Sequence, residues 1–459
     1  MKVTYSDLAR NATQLQVIAR EMHKTGMPVD LDVREAHRVR LSAEREKAET
    51  EFRNHTHFEG EIPRDETFLN SAKQLQDLFF KHYGVKPEKF SETGEPTLDK
   101  GVLRDLLGHT LSEVRRAAEL LLAYRQTNTT ETRYVGRGYY SEEGAYGLSV
   151  LRGTGRHHPT FGVCAAETLR FTCQGGAHQM QKDTFAEIKN EKGIYEVKVT
   201  RPGTRDIFVA PEGWLWLESD YSALELRLFS LYGGIPLWLE EFSKPKADVH
   251  KLNAAFMLKK PFAEIKKQER DVCKTATFGG IAYGGAAVTV WSQVVNKYPR
   301  ITRGMIEEFK HNMELAIPRI PMYQREAIEE ANRLGYTPLA TGDRLWWKFS
   351  GMLDGKGNEE LFGEPKSTEI LNKRMQRTGA RIINDAMARV HTRLDSARSH
   401  LILQLHDALH TLVREDYVQE CALIHKQEME RELEWQGRKI MLTVEQKIGS
   451  SWGHLEDLK

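Results

Sequence analysis

The order of secondary structure is indicated most directly by one stretch of the chain, Leu217-Glu218-Ser219-Asp220-Tyr221-Ser222-Ala223-Leu224-Glu225-Leu226-Arg227. A strand pattern here runs into a helix pattern, which places the carboxylate of Asp220 at the exposed junction, where it can face a ligand. The alternative is purely structural, because Ser222 and Glu225 have the spacing of an S-x-x-E capping box that would only start the helix. The stretch therefore predicts a strand-to-helix junction, and taken alone it leaves the role of Asp220 open.

Patterns on either side of this junction predict a sheet interrupted by a long helical segment. Upstream, residues 195–199 and 215–217 alternate as strands do, and we expect sheet to begin at residue 195. Downstream, helical periodicity extends from residue 224 to about residue 390. The tail returns to strand patterns around one helix, with strands at 401–412 and 440–448 and the helix at 417–433. An α+β chain, in which one sheet-bearing domain carries a helical lobe, fits this order.

The N-terminal part of the chain has helical patterns with charged faces. The predicted helices are 5–25, 34–53, 71–83 and 111–127. A mixture of arginines and tyrosines follows in residues 128–155, which is typical of a phosphate-binding surface and also of an ordinary loop. Both interpretations of that segment stay open.

The composition is that of a soluble globular protein. With 459 residues, 40% of them hydrophobic and 29% charged, the chain is long enough for two or three subdomains. No apolar run approaches the ~20 residues of a membrane span, and the N-terminus lacks the apolar segment of a secretory signal. We therefore expect a cytoplasmic protein without membrane contact. The formal net charge of +1 decides nothing about nucleic acids, because their binding requires a basic surface and not a basic average.

The cysteines indicate a reduced protein. None of them has the C-x-x-C spacing of a zinc site, and they do not form the dense pattern of a disulfide framework. We expect four reduced, buried thiols, at Cys164, Cys173, Cys273 and Cys421.

A second segment places two cations and an aromatic ring on one helix face. Arg270, Lys274 and Phe278 stand at positions i, i+4 and i+8. Two cations that bind phosphate oxygens, followed by a ring, match a nucleoside triphosphate, which presents a charged tail and then a sugar and a flat base. The alternative is a surface helix with one buried aromatic residue.

A third segment interrupts a strand pattern with a polar pair. In Leu403-Gln404-Leu405-His406-Asp407-Ala408-Leu409-His410, the apolar alternation breaks at His406 and Asp407. A hairpin with Asp407 at its tip explains the break. Such a tip can present a carboxylate to a ligand, and it can equally be a simple turn.

In order, spacing and residue identity, the three segments resemble the DNA polymerases of family A, the bacterial polymerase I type. Residues 220–227 are similar to motif A of that family, D-Y-S-Q-I-E-L-R. Arg270, Lys274 and Phe278-Gly279 are similar to motif B, R-x3-K-x3-F-G, and His406-Asp407 to motif C, H-D-E. Nearly the whole chain is covered, since residues 69–75, 208–213 and 450–453 are similar to the family's thumb segment, to the stretch before motif A and to the family's ending.

The resemblance implies an α+β right-hand polymerase with a helical thumb, an antiparallel-sheet palm and helical fingers. The expected segments are 1–135 for the thumb and N-terminal helices, 136–235 for the first part of the palm, 236–385 for the fingers and 386–459 for the second part of the palm. It further implies a phage-type enzyme, with the polymerase region only and no proofreading exonuclease domain in this chain. A separate exonuclease or a processivity factor is then a candidate partner.

The implied activity is extension of a primer 3′-hydroxyl with dNTPs on a DNA template, with release of pyrophosphate. Asp220 and Asp407 match the aspartates that hold two Mg²⁺ ions in the family, and the backbone carbonyl of Tyr221 matches a third ligand. The residues expected to bind the triphosphate are Arg270, Lys274 and His250, and Lys274 is also expected to be catalytic. Phe278 is expected to contact the sugar and base. Glu225 is the expected steric gate against a ribose 2′-hydroxyl, with Tyr283 beside it. The expected DNA-binding residues are Arg170, Gln179, Gln181, Asn372, Gln376 and His406.

Several positions depart from the family pattern. Ala408 replaces the glutamate of motif C, and Ala223, Leu169 and Lys182 replace the usual Gln, Gly and Asn. These changes suit a slow or specialised enzyme. Two alternatives therefore stay open, namely a catalytically weak or idle polymerase-like module that binds DNA, and a ribonucleotide-using polymerase or primase, against which Glu225 argues.

The most informative departure is the interval between Phe278 and Tyr283, which is five residues where the family has four. On a regular helix one extra residue turns a side chain by about 100°. A break or π-bulge at Gly279-Gly280 would absorb the change. Our hypothesis is that Phe278 keeps its place and that Tyr283 reaches Glu225 only if the helix is distorted there.

Overall fold

The computed structural model describes residues 5–56, 68–91, 94–136, 150–151, 153–190, 193, 195–295, 297–347, 352–353, 359–360 and 366–458. The helices are α1 (Tyr5–Thr25), α2 (Leu31–His55), α3 (Ala72–Gln76), α4 (Lys100–Asp105), α5 (Ser112–Thr129), α6 (Leu224–Gly233), α7 (Pro236–Phe242), α8 (Val249–Leu258), α9 (Lys267–Ala276), α10 (Ala287–Val294), α11 (Arg303–Ala316), α12 (Arg319–Leu334), α13 (Ser367–Arg393) and α14 (Val418–Met429). In the part of the chain that is described, no helix has the length and apolar character needed to cross a membrane.

The strands are β1 (Met27–Pro28), β2 (Val150–Leu151), β3 (Arg156–His157), β4 (Thr160–Gly162), β5 (Thr172–Gln174), β6 (Thr184–Lys189), β7 (Tyr195–Arg201), β8 (Trp214–Tyr221), β9 (Tyr336–Pro338), β10 (Arg344–Trp346), β11 (Met352–Leu353), β12 (Glu359–Glu360), β13 (Ser399–Leu405), β14 (Ala408–Arg414), β15 (Arg431–Trp435), β16 (Arg438–Leu442), β17 (Val444–Ser451) and β18 (His454–Asp457). Most of them form small antiparallel pairs, and five assemble into one larger sheet.

The chain divides into two compact units. The first contains residues 1–29, 156–174 and 180–459, and the second contains residues 30–155 and 175–179. In the second unit, α2 starts at Asp30, whose side chain accepts hydrogen bonds from the first free backbone N–H groups of the helix. Helices α2 and α5 pack together over a core that includes Phe52, Phe79 and Leu121.

The first unit is built on the larger sheet, in the strand order β13-β14-β8-β17-β18, with every pair antiparallel. Strand β8 is the central strand of this order, and its residues Trp216 and Leu217 are fully buried. Helix α14 covers one face, where Leu217, Val413 and Cys421 form a continuous apolar cluster. The helices α6 to α12 lie between the strands of this sheet in sequence, as the helical pattern predicts.

Some expectations need correction. Sheet does not begin at residue 195, since β3 to β6 precede it, and strands of two or three residues are too short to show alternation. Helix 71–83 is an α-helical turn that continues as a π-helix over Asp77–His82. Only Cys273 and Cys421 are buried, whereas Cys164 and Cys173 are partly exposed, although all four are free thiols. Much of the arginine- and tyrosine-rich segment lies outside the described residues.

Candidate active site

The two predicted aspartates lie together at one end of the larger sheet. Asp220 ends the central strand β8, and its register partner on β14 is Ala408, the residue after Asp407. The hairpin of β13 and β14 turns at His406 and Asp407, which confirms the predicted tip. The backbone N–H of Tyr221 donates to the carbonyl oxygen of Asp407 at 3.2 Å, so the two strands are tied at this point.

The surroundings of the aspartates disfavour two free negative charges. Burial, the charge of Asp407 and the charge of Glu218 raise the pKa of Asp220 well above its usual range. Burial also raises the pKa of Asp407. The Oδ1 atom of Asp220 is buried and accepts no hydrogen bond from the described residues. Paired carboxylates with an unused buried oxygen fit a divalent cation, which supplies the missing positive charge.

The junction after Asp220 is not a capping box. Helix α6 is preceded by Ala223 in the left-handed region at φ 51°, and no side chain caps its N-terminus. Arg227 holds the turn instead, by donating to the carbonyl oxygens of Ser222 at 2.8 Å and Met441 at 2.7 Å. The side chain of Glu225 therefore does not cap the helix and lines the cavity instead.

The cationic stripe of α9 is anchored by a residue that the motifs do not include. The Nε atom of Arg270 donates to both carboxylate oxygens of Asp248, at 2.8 and 3.0 Å, and Asp248 also caps α8. His250, on the first turn of α8, is buried, and its ring centroid is 5.5 Å from that of Phe278. Burial, with the nearby charges of Lys274 and Arg270, lowers the pKa of His250 to about 3, so the imidazole is neutral.

The extra residue after Phe278 is absorbed by a π-helix. Residues Thr277–Ala282 are π-helical, and Tyr283 follows them directly. The hydroxyl of Tyr283 donates to Glu225 Oε2 at 2.8 Å. The hypothesis of a distorted helix that returns Tyr283 to Glu225 is confirmed. The other carboxylate oxygen, Glu225 Oε1, accepts a hydrogen bond from Arg170 Nη2 at 3.2 Å.

One cavity of about 640 Å³ joins most of the predicted residues. Its walls include Asp220, Tyr221 and Asp407 from the sheet, Arg270, Lys274 and Phe278 from the helical segment, and Arg170, Glu225, His250 and His406 around them. Five predicted residues do not line it. Tyr283 is connected to the cavity only through its hydrogen bond to Glu225. Gln181 borders a different cavity, Gln179 belongs to the second unit, and Asn372 and Gln376 lie on α13, which lines the cavity at Met375, Gly379 and Ala380.

Two charged residues of the site were missed by sequence reasoning. Asp248 precedes His250 by two positions, and its capping position before α8 was the available signal. Glu445 is the register partner of Asp220 on β17 and lines the same cavity. No local pattern indicates Glu445, because its closeness depends on how distant strands pair. Across the described ranges, no group of three or more His, Cys, Asp or Glu side chains is arranged as a metal site.

Comparison with known proteins agrees with the resemblance. The sequence model of the family described as DNA polymerase family A matches residues 35–454 of this chain. The thermostable DNA polymerase I of Thermus filiformis is 27% identical over 443 residues, which are 95% of this chain and 47% of that protein. DNA polymerase I of Chloroflexus aurantiacus is 25% identical over 399 residues, or 85% of this chain and 38% of that protein. The chain thus spans about half the length, or less, of these relatives.

A solved structure shows the fold independently. The POL domain of Pol1 from M. smegmatis, in complex with DNA primer-template and dNTP, superposes with a TM-score of 0.70 at 23% sequence identity. The match covers 98% of this chain and 72% of that one. The α+β right-hand polymerase architecture follows from this likeness and from the antiparallel sheet with its helical lobe. The chain belongs to DNA polymerase family A.

Proposed function

We propose that this chain is a template-directed DNA polymerase that extends a primer 3′-hydroxyl with deoxynucleoside triphosphates and releases pyrophosphate. One observation carries the proposal, namely that the paired carboxylates of Asp220 and Asp407 share a cavity with Arg270 and Lys274. Carboxylates beside phosphate-binding cations are the requirement of metal-assisted nucleotidyl transfer. Membership of family A supports the same reaction.

Family membership implies the use of divalent metal ions, and we propose two Mg²⁺ ions. Asp220, Asp407 and the backbone carbonyl of Tyr221 would hold them, since Mg²⁺ prefers oxygen ligands and completes its shell with water and phosphate. Bound there, the ions would acidify the primer hydroxyl and offset the charge on the phosphates. The buried, unused oxygen of Asp220 supports this assignment.

The cations of the helical segment would bind the triphosphate. The primer oxygen forms a bond to the α-phosphorus, the bond to the leaving pyrophosphate breaks, and negative charge grows on the pyrophosphate. Arg270 and Lys274 would stabilise that charge, with Lys274 as the candidate proton donor. A neutral His250 would contribute one hydrogen bond rather than a charge. Phe278, packed against His250, would contact the sugar and base.

Glu225 is the proposed sugar gate, with Tyr283 as its support. Both of its oxygens are held, by Arg170 and by Tyr283, so the carboxylate has a defined position in the cavity. A carboxylate fixed there would exclude a 2′-hydroxyl by volume and by desolvation. This arrangement favours deoxynucleotides and disfavours the ribonucleotide-using alternative.

The remaining assignments concern DNA. We propose that Arg170 and His406 contact the primer end, and that Gln179, Gln181, Asn372 and Gln376 contact the duplex or template. We also propose the palm at 136–235 and 386–459, the fingers at 236–385 and the thumb within 1–135. Helix α1 is part of the first unit, where Gln14 Nε2 donates to the carbonyl oxygen of Ala388 at 3.1 Å.

A primer-extension assay tests the function. The wild type with Mg²⁺, a primed DNA template and dNTPs should extend the primer, whereas Asp407→Asn should bind DNA but extend it at least about 100-fold more slowly. Asp416→Asn, at an exposed residue paired with Arg414, is the matched control and should behave as wild type. Absence of extension by the wild type, with DNA binding intact, would favour the idle-module alternative and overturn the proposal.

A further inference from the structure

Arg170 occupies a central position in the cavity. Its guanidinium donates a hydrogen bond to Glu225 at 3.2 Å, and the side chain lines the cavity together with His406 and Asp407. Arg170 is thus close to the proposed gate and to the proposed metal ligand at once. A small change in the direction of this side chain would alter the position of the Glu225 carboxylate.

The backbone that carries Arg170 is held in an unfavourable conformation. Leu169 has φ 60°, in the left-handed region that glycine adopts easily and a branched side chain does not. The family has glycine here, and a leucine in this conformation costs about 1 kcal/mol. The loop keeps the conformation because the N–H of Leu169 donates to the carbonyl oxygen of Ala166 at 2.8 Å and because its own carbonyl has a partner.

That partner comes from α13. Asn384 Nδ2 donates to the carbonyl oxygen of Leu169 at 3.1 Å, and only 2% of Asn384 is exposed. Arg377, seven residues earlier on the helix, donates to the carbonyl oxygen of Glu167 at 2.7 Å. Lys373 forms an ion pair with the Glu167 carboxylate at 2.7 Å. Positions 373, 377 and 384 lie on one helix face, so a single face of α13 holds the whole loop.

The contact of Asn384 differs from the other two in what it controls. The carbonyl of Leu169 and the N–H of Arg170 belong to the same planar peptide unit. A hydrogen bond to that carbonyl oxygen therefore fixes the orientation of the peptide plane between Leu169 and Arg170, and with it the direction in which the Arg170 side chain leaves the backbone. The contacts to Glu167 lie three residues earlier and restrain the loop as a whole.

We propose that Asn384 is a positioning residue for sugar selection, acting through the Leu169 carbonyl and Arg170 on the Glu225 carboxylate. The inference rests on the proposed function, because it assigns a specificity role at the same site. Asn384 does not line the cavity and touches no reacting atom. Its effect should therefore appear in the preference between dNTP and rNTP rather than in the chemical step itself.

Single-nucleotide incorporation measures this preference as the ratio of kcat/KM for a dNTP to that for the matching rNTP. Asn384→Ala should lower the ratio by about 3- to 10-fold, the range expected for one net hydrogen bond. Asn384→Leu, which keeps the volume and removes the donor, should lower it similarly. Asn312→Ala is the matched control, because Asn312 is also buried and donates to a backbone carbonyl, that of Met257, at 2.9 Å, and it should leave the ratio unchanged.

The decisive arm is the double variant with Glu225→Ala. If Asn384 acts through Glu225, Asn384→Ala should have no further effect on the ratio once Glu225 is removed. A ratio equal to wild type in both Asn384 variants, or an equal drop in the Glu225→Ala background, would overturn the inference. Failure of both Asn384 variants to fold would show a general structural role and overturn it too. Absence of primer extension with dNTPs by the wild type would instead overturn the proposed function.

Discussion

Acid should destabilise the first unit through one buried histidine, His425. This residue lies on α14 beneath the larger sheet, is fully buried, and has its Nε2 atom 3.2 Å from the hydroxyl of Thr411 on β14. Burial, with a smaller effect of His410, lowers the pKa of His425 to about 3. The ring is therefore neutral in the folded protein at any pH where the protein is handled.

The size of the effect follows from proton linkage. An unfolded histidine binds a proton below about pH 6.5, whereas His425 in the folded state binds one only near pH 3. The unfolded state thus gains protons first, and the free energy of unfolding falls as pH drops from 6.5 towards 3. The slope is about 1.4 kcal/mol per pH unit, so the loss between pH 8 and pH 5 is about 2 kcal/mol.

The comparison of His425→Gln with the wild type isolates this contribution. Urea unfolding is followed by intrinsic tryptophan fluorescence, to which the buried Trp216 of this sheet contributes. Glutamine can keep a hydrogen bond to Thr411 but cannot be protonated, so the pH 8 to pH 5 loss should be about 2 kcal/mol smaller in the variant. His311→Gln, at an exposed position on α11, is the control. An identical pH dependence in wild type and His425→Gln would refute the reasoning.

Three further changes have defined outcomes. Tyr283→Phe removes a hydrogen bond to the Glu225 carboxylate, worth about 1.5–3 kcal/mol. The ratio of kcat/KM for a dNTP to that for the matching rNTP, measured by single-nucleotide incorporation, should fall by about 10- to 100-fold. Arg227→Met should lower the free energy of unfolding in urea by about 3 kcal/mol, because it removes three hydrogen bonds, to Ser222, Met441 and Thr443, of about 1 kcal/mol each. Arg300→Ala removes the bidentate partner of the buried Glu187 carboxylate on β6, and amide exchange of β6 and β7 should quicken about 5-fold, whereas unchanged exchange would count against this contact.

Local patterns were sufficient wherever the determining contacts are local. The interval between Phe278 and Tyr283, one residue longer than in the family, led to the hypothesis that the helix is distorted if Tyr283 reaches Glu225, and a π-helix lies there. The polar pair within an apolar strand pattern predicted the hairpin tip at Asp407. The bounds predicted for α1 agree with the structure, since its periodicity is undisturbed by glycine or proline. In each case the relevant interactions span only a few residues.

The remaining features depend on contacts between distant segments. The spacing of Ser222 and Glu225 left a capping box open as the alternative interpretation, but the Glu225 side chain instead bonds Arg170 and Tyr283. Partners 55 and 58 residues away outcompete a local cap, and no helical period encodes them. The ion pair of Arg270 with Asp248 was missed for the same reason.

The pairing of β8 also changes how Ala408 should be interpreted. The family's glutamate is missing at Ala408, which faces Asp220 on one side, but Glu445 faces Asp220 on the other. Glu445 Oε1 accepts a hydrogen bond from the Ser222 hydroxyl at 3.0 Å, and its charge adds to the burial, Asp407 and Glu218 that raise the pKa of Asp220. Glu445 therefore lines the cavity beside Asp220 and Asp407 despite the substitution, and Glu225 and Asp248 bring the acidic residues of its wall to five. Carboxylates that repel one another destabilise the empty site, and an idle site gains nothing from such repulsion, which weakens the case for an idle DNA-binding module.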